Sequence, residues 1–268
     1  MKKMLFMFLC FFLFACYPSG NIGIVKIEGV IWDYEDKVKE INYFIEKNPD
    51  IKALILYINS PGGGASASYQ IFSAIRKFRE KTGKKVYAYI SSIGASGGYY
   101  VACSADKIIA DPNSLTGSIG VRASFLHYYK LLQKIGVYEK TLKSGKYKDI
   151  GSPFREMSKE EEKIIQNFIQ DVYEQFVEIV SESRNLPVDK VKEIADGRIF
   201  SGKKAEELGF VDTTGSFEDF KDILKKELNL KKIRFLKAPV PKKGFLRRML
   251  ELKNNLLSPE IKVEYRFP

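Results

Sequence analysis

Twice in this chain an almost unbroken apolar run passes through a glycine-rich turn into a helix with one apolar face. Residues 51–58 lead into Asn59-Ser60-Pro61-Gly62-Gly63-Gly64, after which Ala67, Ile71, Ile75 and Phe78 fall on one side of a helix. Residues 86–91 lead into Ile93-Gly94-Ala95-Ser96-Gly97-Gly98-Tyr99-Tyr100. A strand that is apolar at successive positions is buried on both faces, which requires a largely parallel sheet with helices packed on it. Glycines let the backbone turn sharply from strand to helix without Cβ clashes. Two such turns in successive strand–helix units can lie side by side at one sheet edge, where α/β proteins bind their ligands. The expected fold class is therefore α/β.

The remaining chain continues the pattern. Residues 24–30 read as a first strand, followed by a helix with Tyr34, Val38, Ile41 and Ile45 on one face and a stop at Asn48-Pro49-Asp50. Residues 107–110 are a short strand, and 115–121 form a tight loop and strand. A helix is expected near 125–135 and a strand over the alternating residues 137–142. The longest helical stripe, Ile164, Phe168, Val172, Phe176 and Ile179, spans 160–183. A short helix to Ala195, a turn at Asp196-Gly197-Arg198, a helix near 203–208 and a strand at Phe210-Val211 complete the pattern.

The ends differ in character. Lys2-Lys3 precede an apolar run from Met4 to Cys16, and polar Pro18-Ser19-Gly20-Asn21 follow it. This is a targeting segment, shorter than the roughly 20 residues that comfortably span a bilayer. Leu13-Phe14-Ala15-Cys16 resembles a bacterial lipobox. As a signal peptide, a membrane anchor or a lipoprotein leader, the segment is expected to place the rest of the chain outside the cytoplasm. The 268 residues carry a formal charge of +11, concentrated in residues 231–268, where eleven Lys and Arg stand against three Glu. That tail is open to a membrane surface, an oligomer contact or a peripheral helix. The divisions expected are 1–20 for the leader, 21–215 for a catalytic domain and 216–268 for a basic extension. Cys10, Cys16 and Cys103 make no disulfide framework, and no spacing resembles a metal site.

Ser96 stands on the second glycine turn, where helix-start N–H groups lack intrahelical partners and point at whatever its hydroxyl would attack. It can also simply cap the helix. As a nucleophile it needs a base. The single histidine, His127, sits among aromatics with no glycine turn near it, so a Ser-His-Asp triad is not indicated. A lysine kept partly neutral can serve instead. Ser104 to Lys107 and Ser201 to Lys204 match S-x-x-K, but neither serine is on a glycine elbow. Lys146 and Lys148, in the polar segment Lys143-Ser144-Gly145-Lys146-Tyr147-Lys148-Asp149, are the better placed pair, and spacing alone does not choose between them.

Five motifs in register carry a family resemblance: Asn59-Ser60-Pro61-Gly62-Gly63, Ala95-Ser96-Gly97-Gly98-Tyr99-Tyr100, Leu115-Thr116-Gly117-Ser118-Ile119-Gly120, Ser144-Gly145-Lys146-Tyr147-Lys148-Asp149 and Ala195-Asp196-Gly197-Arg198. Over residues 24–215 the chain resembles the short, single-domain form of bacterial signal peptide peptidase A. The resemblance implies Ser96 as nucleophile, Lys148 as general base, Ser118 as the residue that orients the lysine, and the Gly63 and Gly97 N–H groups as an oxyanion hole. It implies a fold similar to the Clp protease subunit and the crotonases, stacked strand–strand–helix units in an oligomeric ring, where serine and lysine can come from neighbouring subunits. It further implies a homo-oligomer at the bacterial cytoplasmic membrane with its catalytic domain on the extracytoplasmic side. Expected substrates are cleaved signal peptides and other unfolded chains; no cofactor, metal or nucleic acid is expected. Two other readings remain: a crotonase-like acyl-thioester enzyme, which needs no nucleophile, and a noncatalytic membrane scaffold.

Overall fold

A computed structural model of the chain describes residues 20–47 and 50–239, and the backbone of 263–266. The leader, with Cys10 and Cys16, and most of the basic tail lie outside the described residues. Among the described residues no helix is long and apolar enough to cross a membrane. The first half runs β1 (Ile22–Glu28), α1 (Glu35–Glu46), β2 (Ala53–Ser60), β3 (Gly62–Gly64), α2 (Ala65–Thr82), β4 (Lys85–Ala95) and α3 (Gly97–Ala102). There follow β5 (Lys107–Ala110), β6 (Leu115–Gly117), β7 (Arg122–Ala123), α4 (Tyr129–Lys134) and α5 (Lys159–Arg184). The last elements are α6 (Val188–Lys192), β8 (Ile199–Ser201), α7 (Gly202–Glu207), β9 (Thr213–Thr214), α8 (Phe217–Glu227), β10 (Phe235–Leu236) and β11 (Val263–Arg266).

The main sheet has the order β10-β1-β2-β4-β5-β9, every neighbouring pair parallel. Its two faces explain the unbroken apolar runs, because successive residues of a strand point to opposite sides. In β2 and β4, Leu54, Leu56, Ile58, Val86, Ala88 and Ile90 face the larger core, which α1, α2, α3 and α5 supply with Phe44, Phe78, Tyr100 and Phe176. Ala53, Ile55, Tyr87 and Tyr89 face the other way, against Phe220 and Leu224 of α8. Tyr89 stacks on Phe220 with ring centroids 5.2 Å apart. Each large side chain so buried contributes about 1.5–3 kcal/mol. The sequence past Gly215 thus adds a helix and the edge strand β10 to this same body.

β4 is long enough to serve two partners in turn. Residues 87–90 pair with β5, and residues 93–95 pair with β6, on which β8 lies antiparallel. The branch opens the sheet at the carboxyl end of β4, where the chain reaches Ser96.

The segment from 124 to 158 departs from the expected pattern. The helix expected near 125–135 is confined to α4, and residues 137–142 form no strand. Among the described residues no strand pairs with them, and alternation without a partner does not make a strand. Their apolar side chains stand in solvent, Tyr138 at 77% and Leu142 at 87% exposure. The short strand expected at Phe210-Val211 falls instead at Thr213–Thr214, which pair with Ile109 and Ala110 of β5.

Candidate active site

Ser96 joins β4 to α3 with φ 52° and ψ −119°, a conformation that costs an L residue strain and is characteristic of serines held up on a sharp strand-to-helix turn. Both sides of the turn are fastened. The Ser96 N–H donates to the Gly117 carbonyl at 2.8 Å, and its carbonyl accepts from the Tyr100 N–H at 2.8 Å. Tyr99 and Tyr100 anchor the helix behind it: the Tyr99 hydroxyl donates to the Phe210 carbonyl at 2.7 Å, and the Tyr100 ring lies 5.0 Å from Phe176. The Ser96 side chain makes no capping hydrogen bond, which removes the capping role considered above. Ser96 is only 1% exposed.

The two glycine turns meet as expected. Ser60 pairs with Gly94 across β2 and β4, and a Cβ on Gly98 would lie 2.7 Å from the Ser60 carbonyl oxygen, so the helix start can approach this closely only as glycine. The sequence reading left 62–64 as loop, yet it is a strand. Ile31 donates to the Gly62 carbonyl and accepts from the Gly64 N–H, both at 2.8 Å. Alternation then turns the Gly63 N–H to the opposite edge, away from Ile31. On that edge lies β11, antiparallel, with Tyr265 opposite Gly63, and β11 pairs on its far side with β7. β3 and β7 therefore bound a slot one extended strand wide, filled here by the chain's own residues 263–266. The Gly97 N–H, at the first position of α3, has no intrahelical partner.

Ser118 follows the β6 residue that receives the Ser96 N–H. It is 7% exposed, has φ 51°, and donates its N–H to the Arg198 carbonyl at 2.8 Å. The Gly197 N–H donates to the Ile119 carbonyl at 3.0 Å, so Asp196-Gly197-Arg198 is the backbone brace of Ser118. Ser96, Gly97, Gly63 and Ser118 are thus gathered at the carboxyl ends of β2, β4 and β6.

Lys148 is elsewhere. It is exposed, in a loop tied to the start of α5, and among the described residues no hydrogen bond joins it to Ser96. The tie is at Glu160 and Glu161, fifteen residues before the Phe176 that packs on Tyr100, or about 22 Å along the helix. The structure nonetheless distinguishes the two lysines. Lys146 pairs with Glu160, and that hydrogen bond raises its pKa; Lys143 pairs with Asp149; among the described residues Lys148 has no carboxylate partner. A lysine held by a carboxylate is a poor base. His127 is exposed, its Nδ1 3.1 Å from the Arg155 carbonyl, far from any serine elbow. Cys103 is buried, which pushes its thiol up to about 11 and leaves it an inert packing residue.

Two features of the site escaped the sequence reading. Thr116 Oγ1 donates to the Gly94 carbonyl at 2.8 Å, locking β6 onto the strand that delivers Ser96. Arg155 ties the lysine loop to α5. The only written sign of the second is Ser158 with Glu161 three residues on, a capping box that marks a helix start but says nothing of a bond to Arg155.

Comparison with known proteins adds the following. A model of peptidase family S49 matches residues 78–231, a span that holds Ser96, Ser118 and Lys148. A Clp protease model matches residues 24–116, which hold Gly63, Ser96 and Gly97. The chain is 39% identical over 224 residues to a provisionally named protease, MJ0651, of Methanocaldococcus jannaschii, covering 81% of this chain and 68% of that protein. It is 44% identical over 186 residues to a provisionally named signal peptide peptidase SppA of Enterococcus faecium, covering 69% of this chain and 54% of the relative. With the chloroplastic serine protease SPPA of Arabidopsis thaliana it shares 37% identity over 187 residues, 69% of this chain and 27% of the relative. The chain thus matches about half the length of the Enterococcus relative and about a quarter of the Arabidopsis one.

Proposed function

From the premise that the chain belongs to peptidase family S49 and is a serine-type peptidase, we propose a membrane-attached endopeptidase in which Ser96 is the nucleophile and Lys148 of a neighbouring copy is the general base. The observation that carries this is the strained Ser96 turn, whose hydroxyl does not cap its helix while two glycine segments direct N–H groups to the same sheet edge.

The chemistry follows from that arrangement. An extended peptide enters the slot between β3 and β7 as an antiparallel strand, the position residues 263–266 take, which lays its backbone over the Gly63 N–H. Lys148 Nζ, uncharged, accepts the Ser96 Oγ proton as Oγ attacks the scissile carbonyl carbon. The Gly63 and Gly97 N–H groups receive the developing oxyanion. The protonated amine then gives its proton to the leaving nitrogen. A water, deprotonated by the same lysine, releases the acyl group. Ser118 orients the amine between these steps.

Supply of Lys148 by a second copy accounts for its distance from Ser96 and for the exposed apolar residues 126–142 on the arm that precedes it. Such a surface is suited to burial against another copy in a ring. Burial there would also remove water from around the amine. The substrates are cleaved signal peptides and other unfolded chains, in keeping with the names of the relatives. The leader, as a membrane anchor or an acylated lipoprotein signal, holds the catalytic domain on the outer side of the bacterial cytoplasmic membrane.

Complementation tests both the dyad and its division between copies. Ser96→Ala and Lys148→Ala are each expected to abolish peptide cleavage while leaving assembly intact. Co-expressed, the two inactive chains should recover about a quarter of wild-type activity, since about one site in four of a random ring receives an intact serine and an intact lysine. Full activity in either single variant removes the dyad, and a silent mixture removes the sharing.

A further inference from the structure

The loop that carries Lys148 is held at the start of α5 by one guanidinium. Arg155 forks onto Asp149, with Nε to Oδ2 and Nη2 to Oδ1 both 2.9 Å, and reaches the Asp149 carbonyl at 3.1 Å. The same guanidinium donates to both oxygens of Glu161, at 2.8 and 2.5 Å, and to the Glu156 carbonyl at 3.0 Å. Glu161 is 4% exposed and also accepts from the Ser158 N–H at 2.9 Å. Two other lysines of the loop are paired: Lys143 binds Asp149, while Lys146 and the Tyr147 hydroxyl bind Glu160. Among the described residues Lys143 and Lys146 have a carboxylate and Lys148 has none, although its immediate neighbour is one.

We propose that Arg155 is a positioning residue for the Lys148 base, which both fastens the loop to α5 and occupies the Asp149 and Glu161 carboxylates so that neither pairs with the Lys148 amine. The inference rests on the assignment of Lys148 as base. Its physical ground is that an ammonium with a carboxylate beside it keeps its proton, whereas a base must give it up before each turnover. Arg suits the task because its planar fork satisfies two carboxylates at once and stays charged at any working pH. The strength of the hold shows in the partners. Hydrogen bonding to Arg155 brings Glu161 down to about 2, and with Lys143 it keeps Asp149 well below the usual carboxylate range.

The test is a pH profile of kcat/KM on a peptide substrate for the assembled full-length protein and three variants. In Arg155→Gln the Asp149 carboxylate, left with Lys143 as its one remaining cation among the described residues, becomes available to Lys148. The rising limb should move about one pH unit or more to the alkaline side, with about tenfold lower kcat at neutral pH and KM unchanged. Adding Asp149→Asn to Arg155→Gln removes the carboxylate next to Lys148, while Glu161 stays buried and bonded to the Ser158 N–H, and should return the limb towards its wild-type position. A merely structural Arg155 predicts the opposite, since the double variant loses still more of the clamp. Lys148→Ala run in parallel separates the two levels. If it is inactive while Arg155→Gln keeps the wild-type limb, or if the double variant shows no recovery, the role of Arg155 is overturned and the dyad stands. If Lys148→Ala is fully active, the dyad falls and Arg155 falls with it.

Discussion

Gly63→Ala is the sharpest probe of the oxyanion site, because the consequence can be worked from one distance. A Cβ at Gly63 would lie 2.2 Å from the Ile31 carbonyl oxygen and 2.6 Å from its carbonyl carbon. Carbon and oxygen do not approach within about 3 Å without repulsion, so β3 must retreat by about 1 Å. Overpacking of this kind costs about 1–3 kcal/mol of stability, a tolerable loss for a domain of this size. Catalysis is less forgiving. The N–H of Gly63 leaves the place where the oxyanion develops, and loss of one such donor reduces kcat by about 10²–10³. The adjacent Gly64 supplies the control. Its Cβ would meet Ile31 O at 3.6 Å and Ala67 Cβ at 3.7 Å, which are ordinary contacts, so Gly64→Ala should keep kcat within about threefold. The assay is steady-state hydrolysis of a fluorogenic peptide, with melting temperature and elution volume showing that both variants fold and assemble. Equal kcat in the two variants would refute the assignment of Gly63 as a donor.

Two further outcomes follow from the slot and the clamp. Residues 263–266 occupy the strand position proposed for substrate, and a tethered competitor acts at an effective concentration of about millimolar. Tyr265→Pro, which removes the N–H opposite Gly63, should therefore lower KM several-fold for an extended peptide at constant kcat; an unchanged KM would show that the strand does not compete. The second concerns acid. Glu161 has a depressed folded-state pKa, about 2 against an ordinary 4.5, so its contribution to the clamp is fully present above about 4.5 and is lost as pH falls towards about 2. The amides of Lys148, Ile150 and Ser152, which bond to the Gly145, Tyr147 and Asp149 carbonyls, should lose exchange protection over that window after correction for intrinsic rates. Protection that does not change between about pH 4.5 and about pH 2 argues against a contribution from Glu161.

Much of the fold is written locally. The run at 51–58 and the long β4 announce strands covered on both sides because burial of both faces demands apolar residues at every position, whatever the partners. Residues 107–110 and the long helix ending at Asn185 are legible for the same reason, since periodicity and capping act over a few residues. Where the reading failed, the missing term was a partner. Residues 137–142 alternate as a strand would and form none. Gly62–Gly64 show no strand propensity and make one, because Ile31 and β11 offer backbone edges on either side.

The candidate site divides along the same line. Sequence alone placed Ser96 on a glycine elbow and allowed two glycine turns to share one sheet edge, since small residues at a strand-to-helix turn constrain the local backbone directly. Only the tertiary structure decided that the Ser96 hydroxyl is released from capping, that Asp196-Gly197-Arg198 braces Ser118, and that Lys148 rather than Lys146 has no counter-ion among the described residues. Those facts depend on which groups distant in sequence come within about 3 Å of each other. Hydrogen bonds and ion pairs of that range are fixed by packing, and no spacing along the chain encodes them.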